Sequence, residues 1–396
     1  MLFQSLDDKS ECVGIYTNGR LHFNEDLPTG LTHTWKYSGS LNDPTVEYAW
    51  LYCKGQTLAK VCPHYLEAEL KTVQKRFRAY VRSFKLGKIN LREHCFYDLV
   101  PHDFLLEFCE IKNQITQYIF ENYEKPQHYK HLAAIDKLIY KIGHCDLVVN
   151  NKECRTLFVS NVDRRRIQKL IAGPRYIEYN LFGTHTGRLA TSGGFPILTI
   201  RKEFRKLVKP HNDWFLSLDY NGAEARTALA LSGQPQPEED IHSYNMKTIF
   251  KKRMHFNRVD AKRAFFAWLY NPDSTAITSN LYNKRELLKK WYQHGYIHTP
   301  FDRKIAIDPR RAFNYLVQST TSDLVLEQTI KIDKFLEDKK SFVSHIVHDE
   351  IVIDLTDEER HLTPTIRNMF ATNRLATFKV NLQAGLNYYD LEDLKI

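Results

Sequence analysis

Two strand-length apolar segments that meet acidic residues constrain this chain most. Trp214–Leu218 is apolar and closes on Asp219-Tyr220; Phe342–Val347 and Ile351–Leu355 flank His348-Asp349-Glu350. Segments of this length and composition read as strands. So short a connection joins the last two only as an antiparallel hairpin. The chain therefore needs an antiparallel sheet with Asp219 at a strand end and Asp349 in a tight turn. Both are rigid places from which to project carboxylates. Carboxylates far apart in sequence meet when their strands share a sheet, and paired oxygen ligands suit a hard cation such as Mg²⁺. Either acid on its own also fits a solvated turn.

Between these acids the pattern is largely helical. After Asn221-Gly222 comes an Ala-rich helix, Ala223–Leu231, ending at Ser232-Gly233, and then a loop over Gln234–Glu239. Helices are expected over 256–270, 284–294 and 311–337, with a hairpin from Gly295–Thr299 and Lys304–Ile307. On the first of these helices Arg258, Lys262, Phe266 and Tyr270 recur every four residues and share one slowly turning stripe. Two cations followed by two rings match a nucleoside triphosphate, charge for phosphates and rings for base and sugar. An amphipathic helix with its rings in the core fits the same spacing.

The N-terminal part is less specific. Short strands are expected at Val13–Tyr16, Leu21–Phe23, Val46–Cys53 and Leu58–Cys62, then helices over 66–86 and 103–143, the latter interrupted near Pro126. Residues 71–92 carry Lys71, Lys75, Arg76, Arg78, Arg82, Lys85, Lys88 and Arg92 and no acid. A second basic stretch runs from Arg155 to Lys209. Within a net charge of +9 such clusters suit phosphates. The seven cysteines (Cys12, Cys53, Cys62, Cys95, Cys109, Cys145, Cys154) form no C-x-x-C pair or common zinc spacing, so reduced thiols are expected. No apolar run spans a membrane and the N-terminus has no signal pattern, so the expected compartment is the cytoplasm of a bacterium or virus-infected cell.

In order along the chain, the segments resemble the family-A DNA polymerases, the bacterial polymerase I type, over roughly residues 176–396. Thr186-Gly187-Arg188-Leu189 resembles the loop that enters the palm. Asp219-Tyr220-x-x-x-Glu224-x-Arg226 resembles motif A, and Asp240-Ile241-His242 the segment after it. Arg258-x3-Lys262-x3-Phe266-x3-Tyr270 resembles motif B, and Gly295-Tyr296-x-x-Thr299 with Arg303 the following hairpin. Phe313-Asn314-x-x-Val317-Gln318 resembles the palm helix, Val347-His348-Asp349-Glu350 motif C, and Val380–Leu391 the C-terminal strand.

The resemblance implies an α+β right-hand fold of palm, fingers and thumb, with an antiparallel palm sheet and a small N-terminal α/β region. Its divisions are 1–102, whose strand and helix pattern fits either a degenerate exonuclease-like domain or a DNA-binding domain unrelated to one; 103–175, thumb; 176–233, palm; 234–304, fingers; and 305–396, palm again. It implies a DNA-templated DNA polymerase using two Mg²⁺ ions (or Mn²⁺), held by Asp219, Asp349 and the Tyr220 carbonyl with Glu350 in support. Arg258, Lys262 and His242 hold the triphosphate, and Lys262 protonates pyrophosphate. Phe266 stacks on the nucleotide, Tyr270 lies under the template base, and Glu224 excludes a 2′-hydroxyl. Arg188, Asn314, Gln318 and His348 touch primer–template. The implied partners are primed DNA, dNTPs and a separate exonuclease or processivity protein, for a monomer. Asn221-Gly222-Ala223 replaces the family's Ser-Gln-Ile, Phe265-Phe266-Ala267 its Asn-Phe-Gly, and Asn271 the Gly after the Tyr. The fingers are short, and no Asp-x-Glu precedes residue 357, so no proofreading site is expected. A single-subunit RNA polymerase or primase, and a non-catalytic DNA-binding remnant, are the alternatives.

Overall fold

The computed structural model describes residues 1–6, 14–23, 27–39, 41, 43–152, 157–251, 255–271, 273–274, 277 and 280–395. Val13, Cys12, Cys154 and Arg155, named above, lie outside them. The chain divides into two compact units, Met1–Lys137 and Leu138–Ile396. Among the described residues no helix is long and apolar enough to cross a membrane.

In the first unit, Gln4–Ser5, Gly14–Thr17 and Arg20–Phe23 form a three-stranded antiparallel sheet. The helices Glu67–Leu86 and His102–Asn122 are packed through aromatic rings. Phe77 stacks on Phe108 at 5.3 Å between ring centres, and Tyr80 tilts onto Phe104 at 4.9 Å. Two expectations fail here. Val46–Cys53 contributes only the two-residue strand Glu47–Tyr48 before turning helical at Ala49–Tyr52, and Leu58–Val61 is helical. Short apolar runs carry no period of their own, so tertiary packing chooses between helix and strand. Cys95 is disulfide-bonded, against the expectation of reduced thiols, whereas Cys53, Cys62, Cys109 and Cys145 are free. Bonding needs two Cα atoms within about 7 Å, a proximity that sequence spacing does not reveal.

The second unit is built on a five-stranded sheet. Its spatial order is Phe342–Val347, Glu350–Leu355, Trp214–Tyr220, Val380–Gly385 and Glu392–Asp393, antiparallel throughout. Trp214–Tyr220 lies at the centre and is buried over most of its length. The 27-residue helix Pro309–Phe335 packs against this sheet and against Ala223–Leu231. It starts where Asp308 accepts from the Arg310 amide and Pro309 occupies the first turn, a position where proline's missing N–H costs nothing. Ala225 and Ala228 let the two helices approach, and Thr321 Oγ1 donates to Thr227 Oγ1 at 2.9 Å. A second apolar cluster joins Arg258–Tyr270 to the long helix through Phe265, Trp268, Tyr282 and Phe313.

His345 is fully buried on the strand leading to the hairpin, edge-on to Phe215 and Tyr388. Burial, and then the Arg205 guanidinium, push its pKa down to about 3. In the unfolded chain an imidazole titrates near ~6.5. Below that pH the unfolded chain takes up a proton that the folded chain refuses. The stability tied to this ring is thus complete above pH ~6.5 and lost as pH falls toward 3, by about 1.4 kcal/mol per pH unit. Urea midpoints measured from pH 7 to 4.5 should fall accordingly, and His345→Gln should flatten that part of the profile even if its absolute stability is lower.

Candidate active site

Sheet register assembles the acids. Asp219 lies directly opposite Glu350 on one neighbouring strand and opposite Asn381 on the other. Directly opposed residues of an antiparallel pair share a face. Asn381 Nδ2 donates to Asp219 Oδ2 at 3.3 Å. Both oxygens of Glu350 are occupied, one by Ser217 Oγ at 2.6 Å and the other by Tyr388 OH at 2.9 Å. The hairpin turn consists of His348 and Asp349 alone. His348 takes a left-handed φ of 57°, an uncommon conformation for a residue with a Cβ and one that a rigid setting must impose.

Burial, then the neighbouring charges of Asp349 and Glu350, push Asp219 up to about 7; the Lys262 ammonium acts in the opposite sense. Asp349 is likewise raised by burial, against the pull of Arg188 and His348. The donor set is carboxylate oxygen, short of positive charge, and fits a hard dication that would satisfy both acids. The Tyr220 ring points away, its hydroxyl donating to the Phe370 carbonyl at 2.6 Å, so only its main chain faces the acids' end of the strand. Among the described residues no three or more His, Cys, Asp or Glu side chains gather so as to hold a metal ion by themselves, which leaves the two aspartates as the acidic pair.

Arg188 and Glu224 form the second focus. Arg188 Nη2 donates to Glu224 Oε1 at 2.6 Å and lies 3.8 Å from Asp349. Tyr270 OH bonds both Glu224 oxygens, at 3.0 and 2.9 Å, and the Gln318 side chain bonds it too. Burial still raises the Glu224 pKa. Gly187 delivers Arg188 to this position. Its φ is 78°, and a Cβ there would meet the Arg303 guanidinium at 2.6 Å, so only glycine fits. Arg303 is held in turn by a buried bidentate pair with Asp323, at 2.9 and 2.6 Å.

The Arg258–Tyr270 helix presents the expected stripe. Lys262 is exposed and near enough to act on Asp219. Phe266 stacks on Tyr270 at 5.9 Å, whereas Phe265 is buried against Trp268 and Tyr282. Arg258 makes a bidentate pair with Asp240, at 2.9 and 2.7 Å. Burial opposes ionisation of Asp240, but Arg258, Asn221 and the Ser243 amide outweigh it and hold the acid well below the carboxylate range. His242 is buried and pushed down to about 4 by desolvation, so its ring is neutral at pH 7, and its Nδ1 has no partner. Asn314 is half-buried with its Oδ1 unpartnered, and His348 is exposed.

Sequence reasoning missed several residues that shape the site. Asn381, Ser217 and Tyr388 position the acids, but strand order and register are not written in any local pattern. In sequence Arg226 stands out only as part of a motif. It is fully buried and binds the carbonyls of Asn221, Pro237 and Glu239, which fixes the loop leading to Asp240. The unusual Asn221 contributes to the same network, bonding Asp240 Oδ2 and accepting from the Ile241 amide, both at 2.9 Å. Gly222, with φ 66°, passes so close to Ile241 that a Cβ would overlap its side chain.

No protein-family model matches the chain. In sequence it is similar to a DNA polymerase I of Synechocystis sp., 21% identical over 65% of this chain and 33% of that protein. It thus spans about a third of that relative's length. In fold it is similar to the POL domain of Pol1 from M. smegmatis, solved with DNA primer-template and dNTP. The TM-score is 0.67 at 13% identity, covering 98% of this chain and 95% of that one. The α+β polymerase-domain fold anticipated from the motifs is the fold observed.

Removing the Asp323 carboxylate leaves the Arg303 charge buried and unpaired. Asp323→Ala should lower the stability of the Leu138–Ile396 unit by about 3–5 kcal/mol. Urea unfolding checks this as a lower midpoint at unchanged m.

Proposed function

We propose that this chain, a relative of the family-A DNA polymerases in sequence and in fold, is a DNA-templated DNA polymerase that extends a primer 3′ end with dNTPs. The observation that carries the reading is the convergence of Asp219, at the end of the central strand, and Asp349, in the turn of the adjoining hairpin, with Glu350 beside them and the Lys262 ammonium within electrostatic reach. Asp219, Asp349 and the Tyr220 carbonyl are assigned to two Mg²⁺ ions, for which Mn²⁺ substitutes. When bound, such ions activate the primer hydroxyl and stabilise the leaving pyrophosphate.

The chain's own groups do the rest. Glu350 orients the strand pair, because Ser217 and Tyr388 already occupy its oxygens. Lys262 binds phosphate oxygens and delivers a proton to pyrophosphate. Arg258 and neutral His242 complete the phosphate site, and the unpartnered ring nitrogen of His242 gains a partner there. Phe266 stacks on the incoming nucleotide and Tyr270 supports the template base. Glu224, held by Arg188, Tyr270 and Gln318, crowds the sugar 2′ position. Arg188, Asn314, Gln318 and His348 follow the primer–template minor groove, where contacts test pair shape more than sequence. Residues 103–175 serve as thumb and 234–304 as short fingers. With no Asp-x-Glu before residue 357, no proofreading site is assigned to these residues. The enzyme works as a monomer in the cytoplasm.

Primer extension on a primed template with Mg²⁺ and dNTPs tests the assignment. Asp349→Ala should reduce extension by more than the ~10–100-fold seen when only an outer partner of a metal ligand is removed. Extension at the wild-type rate would overturn the site. Glu224→Ala should raise ribonucleotide incorporation relative to deoxynucleotide, by roughly tenfold or more once the side chain that crowds the 2′ position is gone. A wild-type preference for rNTPs would instead assign a single-subunit RNA polymerase. Tight primer–template binding without incorporation would assign a non-catalytic remnant.

A further inference from the structure

Asn221 departs from the serine of the motif it resembles, and its side chain stands where a hydroxyl could not replace it. It follows the central strand Trp214–Tyr220, precedes the helix Ala223–Leu231, and is buried. Its main chain is fixed from both sides. The N–H donates to the Lys379 carbonyl at 3.0 Å, and the carbonyl accepts from Arg226 Nε at 2.8 Å. The side-chain amide has two acceptor positions and two donor protons, and all are engaged. Oδ1 accepts from the Ile241 amide at 2.9 Å and from Arg226 Nη2 at 3.2 Å. Nδ2 donates to Asp240 Oδ2 at 2.9 Å and to Asn381 Oδ1 at 3.5 Å, the longest of these links.

The partners force these orientations. The Ile241 amide and Arg226 can only donate, so Asn221 turns its oxygen to them and its protons to Asp240 and Asn381. The Asp219 carboxylate accepts from Asn381 Nδ2, which leaves Asn381 Oδ1 for Asn221. On the other side, Asp240 takes both Nε and Nη2 of Arg258. That bidentate pair fixes the plane of the guanidinium and leaves Nη1 for phosphate oxygens. One run of hydrogen bonds thus joins Arg258, Asp240, Asn221, Asn381 and Asp219. A serine has one proton to donate and could serve Asp240 or Asn381, never both.

We infer that Asn221 is a positioning residue that ties the phosphate side of the nucleotide site to its metal side, given the roles that the proposed function assigns to Arg258 and Asp219. It holds Asp240 against Arg258 and Asn381 against Asp219. Losing its amide frees Asp240 to turn, and the guanidinium with it. The same loss frees Asn381 to leave Asp219. Both ends of the site then change, although Asn221 touches neither phosphate nor metal. Its main-chain bonds do not involve the amide, so the strand and helix on either side stay in place.

The test titrates the full chain with two probes in the absence of turnover. Inorganic tripolyphosphate in EDTA, followed by calorimetry, reports the phosphate side. Mn²⁺ alone, followed by electron paramagnetic resonance, reports the metal side. Asn221→Ser should weaken each affinity by about fivefold, the worth of one hydrogen bond. Two double-mutant cycles then read the route. Arg258→Lys keeps the charge but cannot make the two-pronged pair with Asp240. In that background Asn221→Ser should no longer affect tripolyphosphate, while its effect on Mn²⁺ persists. In the Asn381→Ala background the reverse should hold. A residue that merely supports the loop would give losses that persist in both backgrounds, and that result would overturn the assignment. So would a loss confined to one probe, a loss with neither, or a wild-type chain that binds neither. If circular dichroism shows Asn221→Ser unfolded, Asn221→Asp is read by the same criteria. It keeps the shape and the two accepted bonds and loses both donated ones. A chain that shows the expected pattern with both probes yet extends no primer would sink the polymerase reading and leave the coupling standing. A chain that extends primers without the pattern would sink the coupling alone.

Discussion

The antiparallel register of the Trp214–Tyr220 strand is the constraint on which the site depends. That strand lies between Glu350–Leu355 and Val380–Gly385, and the pairing places Asp219 beside Glu350 and Asn381 at once. Side chains alternate with a period of two, so a slip of one residue would turn Asp219 to the other face. The burial of Phe215, Leu216 and Leu218 opposes such a slip. Core packing and the placement of the acids are therefore enforced by the same contacts. The concentration of negative charge at this point, visible in the raised pKa of Asp219, is a cost the fold carries, and the proposed cations would offset it.

A second layer of polar contacts transmits this rigidity outward. Asp323 holds Arg303, Arg303 packs against Gly187, and Arg188 then reaches both Glu224 and Asp349. Four segments that are distant in sequence are thereby held around one carboxylate. Arg226 does comparable work for the loop before Asp240. Buried charges such as these are expensive unless paired. Here each guanidinium finds carboxylate or carbonyl oxygens, and the result is a specific placement of groups more than added stability.

Much of this was legible in sequence. Ala223–Leu231, the hairpin around His348-Asp349, the long helix and the four-residue stripe on Arg258–Tyr270 have strong periods or sharp punctuation, and they fold as expected. The segments at 46–53 and 58–62 are too short to carry a period, and packing makes them largely helical. The substitution of Phe265 for a polar residue looks, in sequence, like a change in the site. In the structure that ring faces the core, and half-buried Phe266 keeps its place on the stripe, stacked on Tyr270.

By itself the sequence determined the chemical inventory: two acids on strand-forming segments, a stripe of cations and rings on one helix, and an acid-free basic stretch over 71–92. Local propensity and periodicity suffice for these because they act between near neighbours. Only the tertiary structure decided which groups meet. Asn381 and Tyr388 became partners of the acids through strand order, and Tyr270 and Gln318 became partners of Glu224 through helix packing. Those contacts join residues separated by tens to more than a hundred positions. Their energy depends on burial and register that exist only once the chain has closed on itself.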